Sequence, residues 1–267
     1  MTPETKSAYP RYKNAIFLSL LLIAVQAVLS LALRLVSLGA IAMEVGTLVS
    51  FGVVINVALE RTNKTVQSLL DGRRFTPYLV AAVLITCVGL SIVLSEVNNL
   101  VQMLIPMPKA VLDLLSALMS DGNVLRSIVL LAVIAPVTEE LFFRRIILDG
   151  FFKNYSATDA IVVASVLFGI VHLNPWQALP AFFMGLYLSW VYVRSGSVVL
   201  CMIAHGLYNT VGLLIMSITE IPGYTTVRTV RFQPAWFDLL GLLLLAAGIL
   251  ASAQLFGSDS TNRGDPE

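Results

Sequence analysis

The sequence predicts an all-α membrane protein, a polytopic bundle of about eight transmembrane helices, and three observations predict it. The 267 residues are 57% hydrophobic and 12% charged, where an ordinary soluble domain is about 45–50% apolar and about 25% charged. With 17 basic and 16 acidic side chains and a mean hydropathy of +0.85, the chain cannot clothe a water-facing surface of this size. Its apolar residues also gather into eight runs near the length of about 20 residues that crosses a bilayer. A net charge of +1 leaves no basic footprint for nucleic acid.

The runs are 15–33, 36–59, 78–96, 124–149, 157–172, 176–193, 197–216 and 236–256. The first follows Lys6, Arg11 and Lys13, as a signal peptide would. It is too long for a signal core, and no small-residue cleavage site follows it, so it is expected to remain as a helix. The second carries Glu44, expected to pair with Arg34 or to line a cavity. Glu96, Asn98 and Asn99 are expected to mark the outer end of the third. Beyond Pro106 and Pro108, Leu112, Leu115 and Leu118 share one helical face, which predicts an interfacial helix near 111–121. Asn174 and Pro175 are expected to bend the chain, so that the 157–172 helix stops short of the outer face. Trp176, Trp190, Tyr192 and Trp236 fall near span ends, where an aromatic belt explains them. Residues 257–267 read as a short solvated tail. No repeat is evident, and one membrane domain is expected over 1–267. Cys87 and Cys201, the two cysteines, lie in separate apolar runs and form neither a disulfide framework nor a metal motif.

Orientation follows from loop Lys and Arg. With the N-terminus inside, Lys6, Arg11, Lys13, Arg61, Lys64, Arg73, Arg74, Lys153, Arg194 and Arg263 are cytoplasmic, and Arg34, Lys109, Arg126, Arg228 and Arg231 are outside. Both termini are therefore expected in the cytoplasm.

Charges inside spanning segments are costly and mark function. The run 124–149 contains APVTEELFFRR. Glu140 and Arg144 are four apart with the acid first, the favourable order for an ion pair on one helix face. Glu139 has no such partner, since Phe occupies position 143. Its carboxylate in low dielectric suits a general base. Arg145 is expected to meet a lipid phosphate or a substrate carboxylate. Both histidines of the chain, His172 and His205, fall in predicted spans, and Asn209 shares the face of His205. At about 1.5 Å per residue, Glu139 lies roughly 16 Å, His172 roughly 22 Å and His205 roughly 12 Å from the predicted cytoplasmic face. Three helices thus bring their polar groups toward mid-membrane, and Pro136 is expected to kink the first and open room for water.

The residues E-E-x-x-x-R at Glu139, Glu140 and Arg144, F-x-x-x-H at Phe168 and His172, and H-x-x-x-N at His205 and Asn209 stand in the order of a known family. The chain resembles the CAAX-processing endopeptidase and bacteriocin-processing (CPBP or ABI) family of intramembrane proteases over roughly 124–216, the expected catalytic core. The resemblance implies peptide-bond hydrolysis in or near a bacterial plasma membrane, with a peptide or protein substrate beside membrane lipid. It assigns water activation to Glu139 and His172, oxyanion stabilisation to His205 and Asn209, and a supporting role to Glu140 and Arg144. Descriptions of the family as metalloproteases raise zinc held by Glu139, His172 and His205. A metal-free mechanism is slightly preferred, and no metal is assigned; the HExxH helix of common zinc proteases is absent. Two rivals stand beside the protease: a transporter, which would usually show an internal repeat, and a non-catalytic scaffold keeping the fold.

Overall fold

Apolar runs, polar caps and a few prolines divide the chain into helices, and the computed structural model describes residues 9–35, 42–62, 64–118, 124–226 and 230–261. The helices are α1 (Tyr12–Leu35), α2 (Ala42–Leu59), α3 (Val66–Leu70), α4 (Pro77–Leu104) and α5 (Lys109–Leu118). A helical run then alternates in type: α6 (Val124–Val129), the π-helical π1 (Leu130–Ile134), α7 (Ala135–Glu140), the π-helical π2 (Leu141–Leu148) and α8 (Asp149–Phe152). It is followed by α9 (Ala157–Ile170), α10 (Pro175–Ser195), α11 (Val198–Met216) and α12 (Ala235–Thr261).

Local chemistry sets the ends. Thr76, Ser156, Asn174 and Ser197 each accept a hydrogen bond from the backbone N–H three residues on, starting α4, α9, α10 and α11. Pro77 and Pro175 occupy first-turn positions where no N–H is needed. Gly196 closes α10 in the left-handed region at φ +65°.

Among the described residues five helices, not eight, are long and apolar enough to cross a membrane: Tyr12–Leu33, Ala42–Leu59, Pro77–Leu104, Val198–Met216 and Ala235–Gly257. The other three expected spans depart for separate reasons. The run over 124–149 is broken into α and π pieces and carries six charges. The expected 157–172 helix has 14 residues, about 21 Å of rise against a hydrocarbon core of about 30 Å. α10 dilutes its apolar residues with Gln177, Ser189, Arg194 and Ser195 and contains Pro180.

Other boundaries also shift. α4 continues past Glu96 to Leu104, because Glu96 and Asn99 turn inward. Asn99 donates to Glu96 and to the Gly223 carbonyl, both at 2.8 Å, and Glu96 accepts from the Gln233 amide. α5 supplies a helix over Lys109–Leu118, where one was expected near 111–121, with residues 119–123 outside the described ones. α12 runs on through Thr261, into the expected tail, and 262–267 lie outside the described residues.

α11 occupies the interior, touching α4, α10, π1 and α7. α12 lies along α4, where small residues permit close approach. A Cβ on Gly89 would sit 2.3 Å from the Leu245 backbone nitrogen, and one on Gly248 would sit 2.4 Å from the Thr86 hydroxyl. α9 and α10 form a hairpin, and one apolar cluster draws on α1, α2, α4, π2, α9, α10, α11 and α12.

Candidate active site

The run 124–152 carries both glutamates, and its backbone is unusual. In π1 the Ala135 amide bonds the Leu130 carbonyl, five residues back, and the Asp149 amide bonds the Arg144 carbonyl in the same way at the end of π2. Such widened turns are rare and concentrate at functional sites. Pro136, lacking an N–H, cannot bond the Ala132 carbonyl. α11 meets the loosened backbone. A Cβ on Gly206 would fall 2.4 Å from the Ala132 oxygen, and Asn209 Nδ2 donates to the Leu131 carbonyl at 3.1 Å. The room expected at this proline is therefore filled by α11.

The two adjacent glutamates end in different surroundings. Glu140 is fully buried; its Oε2 lies 3.0 Å from Arg144 Nε and its Oε1 2.8 Å from His205 Nδ1. The Arg144 guanidinium sits 5.0 Å from the Phe168 ring centre, a cation–π contact in a dry setting. The carboxylate that Arg144 holds can only accept, so His205 Nδ1 carries the proton. The other imidazole nitrogen, Nε2, faces Glu139 Oε2 at 3.9 Å. That oxygen of Glu139 is buried and has no hydrogen-bond partner. The expected Glu140–Arg144 pair and the unpaired Glu139 are both present.

His172 lies outside a helix, contrary to expectation. α9 ends at Ile170, two residues before the expected end, His172 occupies the turn beyond it, and Leu173 adopts φ +57°. His172 Nδ1 is 2.8 Å from the Phe168 carbonyl. A carbonyl only accepts, which puts the proton on Nδ1 and leaves Nε2 with a bare lone pair. Phe168 joins the two histidines: its ring meets His172 edge-on at 5.4 Å and His205 at 5.7 Å. Glu139, Glu140, Arg144 and His205 thus form one contacting group. His172 reaches it through Phe168, and Asn209 is anchored on π1.

Both histidines use one nitrogen for orientation and leave the other as a donor atom, as metal ligands do. Among the described residues, however, no three His, Cys, Asp or Glu side chains gather into an ion-binding group.

Glu44 is held by Arg126, whose Nη2 lies 2.7 Å from Oε2; the side chain of Arg34, its expected partner, lies outside the described ones. Arg145 turns into the protein, donating to the carbonyls of Ser68 and Leu69 and to the Tyr192 hydroxyl, the last at 2.8 Å. Asp149 completes this cluster by accepting from Tyr192 at 2.8 Å and from Lys64. The same contact holds the buried Tyr192 inside the protein, and Trp176 donates to the Ile105 carbonyl at 2.7 Å. Asp149 also lies 3.4 Å from Arg145, four residues back, but Lys64 and Tyr192 escape a reading of spacing because they bond Asp149 from dozens of residues away.

Residues 121–211 match the model of a family described as type II CAAX prenyl endopeptidase Rce1-like. The chain is 27% identical over 125 residues to the Bacillus subtilis (strain 168) protein named "Putative membrane peptidase YdiL", covering 47% of this chain and 48% of that one. It is 33% identical over 84 residues to the Lactococcus lactis subsp. lactis (strain IL1403) "UPF0177 protein YxdF", covering 31% and 46%. The chain therefore spans about half the length of these curated relatives. No solved structure matches it.

Proposed function

From a chain whose residues 121–211 match the Rce1-like type II CAAX prenyl endopeptidase family, we propose an intramembrane endopeptidase that hydrolyses a peptide bond in or near the bilayer. The observation that carries the reading is the buried, partnerless Glu139 oxygen 3.9 Å from His205 Nε2, beside a Glu140 already occupied by Arg144 and His205. One glutamate is held by two close partners, and the other has only His205 at 3.9 Å.

Glu139 removes a proton from a water molecule as the water oxygen attacks the substrate carbonyl carbon, and His172 Nε2 helps to hold that water. Negative charge moves to the carbonyl oxygen, which Asn209 stabilises through a side-chain N–H and His205 through the Nε2–H of its doubly protonated form, Nδ1–H staying on Glu140. Asn209 has two N–H groups; Leu131 takes one, and the other is free for the oxyanion. The Glu139–His205 separation suits one tetrahedral centre touched by both. Collapse of the intermediate breaks the C–N bond. The abstracted proton passes to the leaving amine, giving a carboxylic acid and an amine. Glu140 and Arg144 position His205 rather than react.

The substrate is a peptide or protein, presented beside lipid to a single membrane domain with its core in 124–216. In the bacterial plasma membrane the chain has both termini cytoplasmic, in keeping with its ten inner and five outer loop cations. The test is cleavage of a quenched-fluorescence peptide pool by protein purified in detergent. Glu139→Gln lowers kcat by about 10²–10⁴-fold, the span of general-base contributions, and chelators leave the wild-type rate unchanged. Loss on chelation with recovery on zinc replaces the metal-free mechanism; an active Glu139→Gln removes the site assignment.

A further inference from the structure

The π turn that ends the catalytic run is held open from outside it. In an α-helix the Arg145 carbonyl would accept from the Asp149 amide, four residues on. Here that amide bonds Arg144 and Ile146 instead, and the Arg145 carbonyl accepts from the Lys64 ammonium, which also holds Asp149 Oδ2, both at 2.5 Å. Lys64 comes from the connection between α2 and α3 and is only 22% exposed along its side chain. Around it, Arg145 bonds the Ser68 and Leu69 carbonyls at the end of α3, and Tyr192 of α10 bonds Asp149. Burial draws the Lys64 ammonium below the usual lysine range, with Asp149 opposing the shift. A long charged side chain has thus been desolvated to reach one backbone oxygen and one carboxylate.

We infer that Lys64 is a positioning residue for the proteolytic site: by occupying the Arg145 carbonyl it keeps π2 from tightening into an α-helix, and so sets the rotation at which Glu139 and Glu140 face His205. The reasoning is geometric. π2 separates Glu139 from the cytoplasmic anchor at Asp149, and removing a widened turn rotates everything upstream of it. α-Helical bonding is the better-populated alternative, so the π register persists where an outside donor claims the carbonyl that the α register needs. Glu140 meets Arg144 and His205 at the same time, and a rotated helix breaks that double contact. The inference rests on the endopeptidase reading for its kinetic consequence and on the backbone alone for its structural one.

The test uses the full chain in detergent, with Lys64→Met, which keeps the stem and loses the donors, and Lys64→Arg, which keeps charge and donors. Activity on the peptide pool is measured together with thermal midpoint. Spin labels at the exposed positions Val133 and Val162 give the distance between π1 and α9. The expected result for Lys64→Met is a fall in kcat of about 10²-fold, the scale of an ångström-level misplacement, with KM within about twofold. The label distance shifts and the thermal midpoint holds. Lys64→Arg restores most of the rate and the wild-type distance. An unchanged kcat in Lys64→Met overturns the inference. So does a drop in thermal midpoint with no change in label distance, which marks a merely structural contact. If the wild type cleaves nothing, the endopeptidase reading is in difficulty, and the label distance still decides the inference: unchanged in Lys64→Met, it fails.

Discussion

Glu139 and Glu140 are neighbours in sequence with different electrostatic fates. Glu140 is sealed from solvent and contacted by Arg144 and His205; removing one member of such a buried pair costs about 3–5 kcal/mol, because the survivor is left charged and unpaired. Arg144→Met is therefore expected to lower the thermal midpoint sharply, and adding Glu140→Gln is expected to recover much of the loss. Thermal unfolding of the two single variants and the double closes the cycle; a double variant no more stable than Arg144→Met refutes the pairing. The Glu140–Arg144 pair was legible because it is a four-residue spacing on one helix. Its third partner, His205, is 65 residues further on, and no local pattern announces it. His172 was legible as a polar residue in an apolar run but not as a turn residue, since that depends on Leu173 taking a positive φ, which is uncommon outside glycine.

At the level of elements, the site depends on two helices fitted backbone to backbone. The Ala132 carbonyl that Pro136 cannot use lies against Gly206, between His205 and Asn209 in α11. Adding one methyl there forces α11 away from π1. Gly206→Ala is expected to cost about 1–3 kcal/mol of stability as overpacking and to depress cleavage further, because His205 and Asn209 move with the helix. Measuring cleavage in the presence of a stabilising lipid or at reduced temperature, where the variant is folded, separates the two effects. Full activity in folded Gly206→Ala shows that the close approach is incidental. Pro136 announced a disturbance in this helix, but the sequence alone did not show which element would cover the freed carbonyl. The π segments were hidden for a related reason: α and π turns differ in which carbonyl each amide selects, and here a lysine from another segment, Lys64, takes part in the selection.

Across the whole molecule, membrane character was the easiest property to read, because 57% hydrophobic and 12% charged residues leave no soluble surface. The number of spans was not, because hydropathy counts residues and the fold assigns depth. α9 is short because the chain turns after Ile170, with Leu173 at φ +57°, and 124–152 tolerates charges because they face Phe168, His205 and α3. The loop cations predict that both termini share the cytoplasmic side. Single cysteines placed at residues 4 and 264, in a background with Cys87 and Cys201 replaced, should both resist a membrane-impermeant maleimide in intact cells and both react after lysis. Labelling of one terminus alone in intact cells contradicts that topology.

The most direct measurement compares Glu139→Gln and Glu140→Gln side by side, recording peptide cleavage and thermal midpoint for each purified protein. A base that is free and a carboxylate that is structural predict opposite signatures. Glu139→Gln abolishes cleavage and leaves the thermal midpoint at or above that of the wild type. Glu140→Gln lowers the midpoint because Arg144 loses its partner. Cleavage by Glu139→Gln at the wild-type rate would contradict the division of labour between the two glutamates on which the proposed chemistry stands.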